Sequence, residues 1–296
     1  MIDSEDVLSG ESGIVEGPRR RFLGRVRDLG DDAAAWIRLE PLRLAAAARR
    51  APARRIHVIG VYAPDGEQNM ARSVAQLRRS RHDVSIALGA LASPSAQLRT
   101  ETRRDGLAGQ GKFENLNVLL AGEPPQGADW VLALDDDAEL PRDFLNRFIF
   151  CAERFGLQLA QPAQRHTSHA AWRVVRRARW SVARRTRLVE IGPVTAFHRS
   201  VTADLLPFPP VRMGWGLDAY WGGLALERGW RLGVVDATPI RHETRRTASG
   251  YDREAAVAEL EEFLRDRPHI ERDRALEVVE RYRTLRGKTM FDGRDH

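Results

Sequence analysis

The residues best suited to bind a ligand or take part in a reaction are three consecutive aspartates, Asp135, Asp136 and Asp137. They directly follow the apolar run WVLAL. Carboxylates this close together repel one another unless a cation or a proton lies between them. Mg²⁺ and Mn²⁺ prefer oxygen ligands, and they commonly use one or two carboxylates together with substrate phosphates. The cluster therefore predicts a divalent-cation site, although an acidic turn that caps a helix beginning near Pro141 would explain the same residues.

Four further residues are candidates for chemistry, and each also has an ordinary structural explanation. Asp218 follows the flexible segment GWG, and its carboxylate could be a general base or simply a favourable charge in the first turn of a helix. Trp215 could stack on a sugar ring or belong to the core. Lys112 could contact phosphate or be a solvated loop residue. His242 could be a ligand or an ordinary surface or core histidine.

An alternation of short apolar runs and helical patterns positions these residues. In an open α/β sheet, ligands bind beyond the carboxyl ends of the strands, which is where Asp135 and Asp137 stand. Residues 144–155 keep a helical period after Pro141, which suits a first helical turn. The pattern predicts an α/β fold with a mostly parallel central sheet flanked by helices. The candidate strands are 56–62, 83–88, 130–134, 157–160 and 231–235.

The two ends of the chain are expected to add helices to this sheet. Residues 31–53 are rich in Ala and Arg and predict a helix that ends at Pro52, whereas residues 1–20 look loosely ordered. Residues 252–266 and 272–285 predict two C-terminal helices. The expected organisation is an N-terminal extension over 1–53, the α/β domain over 54–250, and C-terminal helices packed on it over 251–296.

The composition is that of an ordinary globular protein: apolar residues make up 43% and charged residues 30%. No apolar run reaches the about 18 residues of a membrane span. The one cysteine, Cys151, excludes an intrachain disulfide framework and favours a reducing compartment. Because the N-terminus is polar and acidic and does not resemble a secretory signal, we expect a cytoplasmic protein.

The positive charge suits an anionic partner: the net charge is +6, and nearly all of the basic residues are arginine. Residues 165–187 concentrate this charge around Trp172 and Trp180. Three interpretations stay open for the segment: an amphipathic helix on a membrane surface, a mobile loop over a phosphorylated acceptor, or a solvated basic helix. No nucleic-acid module is recognisable, so we expect no nucleic-acid partner. A membrane contact would be peripheral, at the inner face of the cell membrane.

Several segments resemble the GT-A glycosyltransferases, in particular family-2-like members. GKFENLN (111–117) is similar to their Gly-Lys-x-x-x-Leu-Asn segment, and WVLALDDDAELP (130–141) to their strand, Asp-x-Asp motif and helix-starting proline. More narrowly, a family of uncharacterised GT-A-like proteins known as DUF707 is similar, in order, to QPA, VEIGPVTAF, GWGLD, GVVD and His242. The resemblance covers roughly residues 56–245.

The resemblance implies a metal-dependent glycosyltransferase. Asp135 and Asp137 would bind the nucleotide ribose and a Mn²⁺ or Mg²⁺ ion, with Asp136 as the intervening residue. His242 would approach the metal or the diphosphate. Asp218 would be the general base on the acceptor hydroxyl, and direct displacement would then invert the sugar's anomeric configuration.

The donor predicted from this set is a nucleotide-diphosphate sugar, and the predicted donor-binding residues are Asp135, Asp136, Lys112 and Trp215. A UDP-sugar is favoured over a GDP- or dTDP-sugar, and the acceptor is unidentified. Two other classes compete with this prediction. A non-catalytic protein that binds an anionic partner through its Arg-rich face would lose binding with salt and ignore Mn²⁺. A nucleotidyltransferase would usually carry a Gly-rich phosphate loop, of which YAPDGEQN is a poor example.

Overall fold

The computed structural model describes residues 4–9, 17–242 and 252–286. The strands within them are β1 Arg55–Tyr62, β2 Asp83–Ala90, β3 Thr102–Arg104, β4 Trp130–Asp135, β5 Leu159–Gln164, β6 Ala183–Thr186, β7 Val194–His198, β8 Leu232–Ile240 and β9 Val278–Tyr282. The helices are α1 Ser4–Val7, α2 Pro18–Ile37, α3 Glu40–Arg50, α4 Glu67–Arg78, α5 Lys112–Gly122, α6 Phe144–Arg154, α7 Arg199–Leu205, α8 Leu217–Arg228, α9 Arg253–Leu264 and α10 Arg272–Ala275.

The strands form one sheet in the order β3-β2-β1-β4-β7-β5-β8-β6-β9. Strand β7 is antiparallel to β4 and β5, and β6 is antiparallel to β8 and β9, whereas the other pairs are parallel. Among the described strands, only β6 and β7 therefore run against the rest. This confirms the predicted fold class, an α/β fold with a mostly parallel central sheet.

Helices cover both faces of the sheet because its central strands are apolar on both sides. Along β4, Val131 and Ala133 point into one buried cluster, which includes residues of α5, α8 and α9. Trp130, Leu132 and Leu134 point into the other, which includes residues of α3, α4 and α6. None of the described helices combines the length and the apolarity that crossing a bilayer requires.

The prediction of a second C-terminal helix over residues 272–285 is wrong. Only Arg272–Ala275 is helical, and Val278–Tyr282 pairs antiparallel with β6 as an edge strand. The β-branched pair Val278-Val279 suits this strand, and the Tyr282 ring stacks on Phe155 with the ring centroids 4.3 Å apart. Residues 278–282 therefore form a strand because they can pair with the open edge of β6, although their apolar spacing also allows a helix.

Both helical interpretations of residues 165–187 are also wrong. The segment is irregular apart from one 3₁₀ turn, Arg173–Val175, and strand β6. Trp172 and Val175 are buried in the core, and Arg184 makes a buried ion pair with Asp236 at 2.9 Å. The basic side chains that looked solvated in the sequence include several that pair with acids elsewhere in the fold.

The N-terminal prediction is corrected as well. Helix α2 begins at Pro18, inside the stretch expected to be loosely ordered, and a left-handed residue at Leu39 (φ 53°) separates it from α3. Proline is favoured at the first helical position because its nitrogen needs no partner there. The short strand β3 is not among the strands that the sequence pattern predicts. The division of the chain near residues 53 and 250 stays a prediction.

Candidate active site

The acidic cluster lies at the carboxyl end of β4, beside the start of the antiparallel strand β7. The backbone N–H of Asp135 donates to the carbonyl of Pro193 at 2.8 Å. A Cβ atom on Gly192 would lie 2.6 Å from Asp135 Oδ2 and 2.8 Å from Lys112 Nζ. Glycine at this position therefore allows the loop to approach both charged groups closely.

Lys112, the first residue of α5, pairs with Asp135. Its Nζ lies 2.7 Å from Asp135 Oδ1 and donates to the carbonyl of Ile191 at 3.0 Å. The two side chains keep 21% and 28% of their surface exposed, so a ligand can reach them. Burial raises the pKa of Asp135, the charge of Lys112 acts to lower it, and the neighbouring carboxylate of Asp137 raises it further.

Asp137 contacts His242, which follows β8. The distance from His242 Nε2 to Asp137 Oδ2 is 2.9 Å. Glu139 and Arg241 bring the two segments together, because their backbones exchange hydrogen bonds of 2.8 and 3.2 Å. Burial acts to lower the pKa of His242, but the hydrogen bond and the charge of Asp137 outweigh burial, so that the pKa is raised.

A second contact sets the orientation of the His242 ring: Nδ1 lies 3.1 Å from the carbonyl oxygen of His169. A carbonyl can only accept, so Nδ1 carries the proton in this contact. Nε2 is then the nitrogen that faces the acidic cluster. A carbonyl partner of this kind commonly fixes the tautomer of a metal-binding histidine.

Asp136 points away from this pair, toward the loop that follows β1. Its Oδ2 accepts the backbone N–H of Ala63 at 2.8 Å, and its carbonyl accepts Asn69 Nδ2 at 2.9 Å. These contacts tie the β1–α4 loop to the acidic cluster. A role for Asp136 in binding a ligand stays a prediction.

The structure also removes the alternative in which the cluster serves to cap a helix. Helix α6 begins at Phe144 with Asp143 at its N-cap position, so neither Asp136 nor Asp137 caps it, and Pro141 precedes the helix instead of opening its first turn.

Asp218 lies in the first turn of α8 and is held by two donors. Its Oδ2 accepts Trp172 Nε1 at 2.8 Å, and its Oδ1 accepts the N–H of Ala219 at 2.9 Å. Burial raises the pKa of Asp218, while the Trp172 hydrogen bond acts to lower it. The loop before it is fixed from α9, where Glu259 Oε1 accepts the N–H groups of Met213 and Gly214.

Trp215 belongs to the same loop, between Gly214 (φ 80°) and Gly216 (φ 88°), two positions whose backbone favours glycine. Its side chain is partly buried and packs against the core cluster beneath α8. Stacking of Trp215 on a ligand stays a prediction.

Glu190 is a functional candidate that reasoning from the sequence missed. Its carboxyl is buried, with Oε1 accepting the N–H of Trp172 and Oε2 accepting Gln164 Nε2, both at 2.6 Å. Burial, with a smaller contribution from the charge of Asp218, raises the pKa of Glu190 to about 8, although the hydrogen bond from Trp172 acts to lower it. Glu190 is therefore largely protonated at neutral pH. The available signal was an acid inside the apolar segment VEIGPVTAF.

Trp172 links the two acids, because its backbone N–H binds Glu190 and its indole N–H binds Asp218. The charge of His242 also acts on Glu190. Glu190 thus lies within electrostatic range of the candidate base and of the candidate metal ligand.

The predicted metal ligands are Asp135, Asp137 and His242. Over residues 4–9, 17–242 and 252–286, no three His, Cys, Asp or Glu side chains are grouped as a metal site. Asp137 and His242 are nevertheless in direct contact, and the charge of Asp135 acts on both. Carboxylate oxygens with one imidazole nitrogen fit Mn²⁺ better than Mg²⁺, which rarely takes nitrogen. A Mn²⁺ site built from these three residues stays a prediction.

No family model matches the chain, and no curated protein matches it. Among solved structures it is similar to the mannosyltransferase PcManGT from Pyrobaculum calidifontis in complex with GDP-Man and Mn²⁺, at 17% identity and a TM-score of 0.48, covering 79% of this chain and 70% of that one. It is also similar to GalNAc-T7 with UDP, GalNAc and Mn²⁺ (12% identity, TM-score 0.49, 68% of this chain and 45% of that one). A third match is S. aureus TarS 1–349 in complex with UDP-GlcNAc (13% identity, TM-score 0.48, 67% of this chain and 62% of that one).

The chain thus spans less than two thirds of GalNAc-T7 and of TarS. At this identity and these TM-scores, the likeness transfers no activity to this chain. The narrower resemblance to DUF707 stays a prediction.

Proposed function

We propose that this protein is a metal-dependent GT-A glycosyltransferase that moves a sugar from a nucleotide-diphosphate donor to an acceptor hydroxyl. One observation carries the proposal. The acidic end of β4 contacts a lysine 23 residues away, through Asp135, and a histidine 105 residues away, through Asp137. The fold thus brings two carboxylates, the ammonium group of a lysine and an imidazole together at the carboxyl end of β4. The carboxyl ends of the strands are where α/β proteins bind ligands.

The chemistry of the donor explains why these groups belong together. When the sugar leaves, negative charge grows on the diphosphate and must be offset. Asp137 and His242, with Asp135, would hold a Mn²⁺ or Mg²⁺ ion that supplies positive charge at the phosphates. Lys112 would contact the diphosphate, and Asp135 would also bind the nucleotide ribose.

Asp218 is the group that we assign to the acceptor. A general base must take the proton of the attacking hydroxyl, and a carboxylate with a raised pKa takes it more readily. The indole of Trp172 holds Asp218 Oδ2 in place, and the protonated state of Glu190 avoids a second negative charge nearby. With Asp218 as base, direct displacement inverts the anomeric configuration.

The finer parts of the proposal follow from the sequence. The donor is a UDP-sugar in preference to a GDP- or dTDP-sugar, Trp215 stacks on the sugar, and the protein works in the cytoplasm. The rival in which residues 165–187 offer an Arg-rich binding face has less support, since Arg165, Arg177 and Arg184 are engaged in internal ion pairs.

Calorimetric titration of UDP, GDP and dTDP with and without Mn²⁺ tests the proposal. We expect one nucleotide to bind in a Mn²⁺-dependent manner. Asp137→Asn and His242→Gln should each weaken that binding at least tenfold, on the order of what loss of a ligand-orienting group costs. Asp143→Asn is the matched control, because Asp143 is an acid of the same loop that pairs with Arg147.

The control should bind like the unmodified protein. Two results would count against the proposal: no Mn²⁺-dependent binding of any of the three nucleotides, or equal binding by Asp137→Asn.

A further inference from the structure

Helix α2 is amphipathic in the reverse of the usual sense. Its inner face carries acids: Asp28 and Asp31 are buried against the protein. Its outer face carries large apolar side chains, with Phe22, Leu29 and Ile37 exposed to 65%, 69% and 78%. A helix docked on a globular protein normally buries its apolar stripe. We give the name outer face to five of these exposed residues: Phe22, Val26, Leu29, Trp36 and Ile37. Leu23 is exposed as well and lies at the border of this face.

The helical period explains how one helix separates the two sets. The residues of the outer face follow one another at intervals of four, three, seven and one positions. This spacing places them together on one side of a helix. Asp28 and Asp31 fall three apart on the opposite side. The helix is therefore cleanly divided, and the exposure of the apolar side is a property of the whole helix.

Polar contacts hold α2 in this orientation. Asp28 accepts the N–H groups of His166 and Thr167 at 2.9 and 3.3 Å. Asp31 pairs with Arg179 at 2.6 Å and with His166 at 3.0 Å. Turning the apolar side inward would leave these carboxylates and their partners unpaired, which is costly for buried charges. The basic segment that follows β5, residues 165–187, therefore holds α2 in this orientation.

The solvent side of α2 is also positively charged. The three acids of the helix, Asp28, Asp31 and Asp32, make ion pairs or hydrogen bonds with the segment after β5. The arginines of its first half are all exposed: Arg19, Arg20, Arg21, Arg25 and Arg27. A large apolar face bordered by arginine is the pattern of helices that lie in the interface of a membrane with anionic lipids.

Neighbouring elements extend the same surface. Leu39 and Leu42 continue the exposed apolar residues into α3. Trp180 is half-exposed, and the guanidinium carbon of Arg38 lies 5.9 Å from the centre of its ring. Tryptophan and arginine are both suited to the boundary between lipid and water, since each has an apolar body and a polar end.

We propose that the outer face of α2 docks on a membrane surface rich in anionic phospholipid, with the helix lying in the plane of the interface. A second copy of the chain fits this surface less well, because it would bring two arginine-bordered faces together, and like charges in an interface are unfavourable. The inference does not depend on the activity proposed above.

Docking of α2 would also hold the candidate active site near the membrane. His166 and Thr167, which bind α2, are followed by Ser168 and His169, which bind His242 through hydrogen bonds of 3.0 Å and 2.7 Å. Four consecutive residues therefore join the lipid-facing helix to the predicted metal ligand.

Co-sedimentation with vesicles tests the proposal, comparing phosphatidylglycerol–phosphatidylcholine vesicles with pure phosphatidylcholine vesicles. We expect binding to the mixed vesicles, at least tenfold weaker binding to the neutral ones, and a further decrease with salt. Leu29→Ser/Ile37→Ser should lower the partition coefficient at least tenfold, because it removes the two most exposed apolar side chains of the outer face.

The matched control is Val278→Ser/Val279→Ser, which removes two apolar residues that are also exposed, on the edge strand β9. It should bind vesicles within about twofold of the unmodified protein. Circular dichroism should show both double variants folded, since all four side chains are exposed.

Three results would overturn the proposal. The first is no binding of the unmodified protein to the mixed vesicles, and the second is an equal loss of binding in the two double variants. The third is a dimer of the unmodified protein, seen by analytical ultracentrifugation without lipid, that Leu29→Ser/Ile37→Ser converts to monomer while vesicle binding is unchanged. That result would assign the outer face to contact between copies of the chain.

Discussion

Replacing Glu190 by Gln should make the protein's stability less dependent on pH. Burial raises the pKa of Glu190 from 4.5 to about 8. Between these values the unfolded chain has lost the proton, whereas the folded protein still holds it. Unfolding then releases a proton, so a rise in pH from about 4.5 to about 8 lowers the free energy of unfolding.

The size of this effect follows from the shift in pKa. Each pKa unit corresponds to about 1.4 kcal/mol, so the fully developed loss above pH 8 is about 5 kcal/mol at most. Glutamine has nearly the same shape and cannot ionise. Its carbonyl can still accept the N–H of Trp172, and the Gln164 amide can rotate to accept from the new amide group. Glu190→Gln should therefore remove the dependence on pH without leaving a cavity.

Urea unfolding followed by circular dichroism at pH 5 and at pH 8.5 measures the effect. The unmodified protein should lose several kcal/mol of unfolding free energy relative to Glu190→Gln between the two pH values. Glu227→Gln, at an exposed position of α8, is the control and should follow the unmodified protein. The unfolding free energy of Glu190→Gln minus that of the unmodified protein should therefore rise from pH 5 to pH 8.5. A value that stays constant or falls as pH rises would refute the reasoning.

Two further substitutions have expected effects. Asp218→Asn should leave Mn²⁺-dependent nucleotide binding unchanged by calorimetry while slowing release of the nucleotide from its sugar donor in water by about 100-fold or more, the usual contribution of a general base; an unchanged rate would remove Asp218 from that role. Asp236→Asn should cost about 3–5 kcal/mol in urea unfolding because it leaves the guanidinium of Arg184 buried without its carboxylate; a loss below about 1 kcal/mol would show that this pair matters little.

Reasoning from the sequence succeeded where the relevant pattern is local. The apolar run before Asp135 predicts a buried strand, and β4 is that strand. Short apolar runs alternate with helical patterns, which predicts a mostly parallel sheet covered by helices. The runs lack polar residues because strands of such a sheet are buried on both faces. The pairing of Asp137 with His242 is not local: the family resemblance places both at one site, and their side chains lie 2.9 Å apart, while joint metal binding stays a prediction.

The errors arise where long-range partners decide the structure. The arginines of residues 165–187 looked solvated, but Arg179 pairs with Asp31 of α2, and no local pattern reveals that pair. Val278–Tyr282 looked helical because its spacing allows it, and the open edge of β6 makes it a strand. Glu190 was overlooked because an acid in an apolar segment becomes informative only once its burial is known.

Pulsed electron paramagnetic resonance of Mn²⁺ bound together with the preferred nucleoside diphosphate tests the central claim most directly. A site built from Asp135, Asp137 and His242 predicts hyperfine coupling from the imidazole nitrogen, which disappears in His242→Gln and persists in Asp143→Asn. Bound Mn²⁺ without nitrogen coupling in the unmodified protein, or with coupling that survives in His242→Gln, would contradict the proposed site.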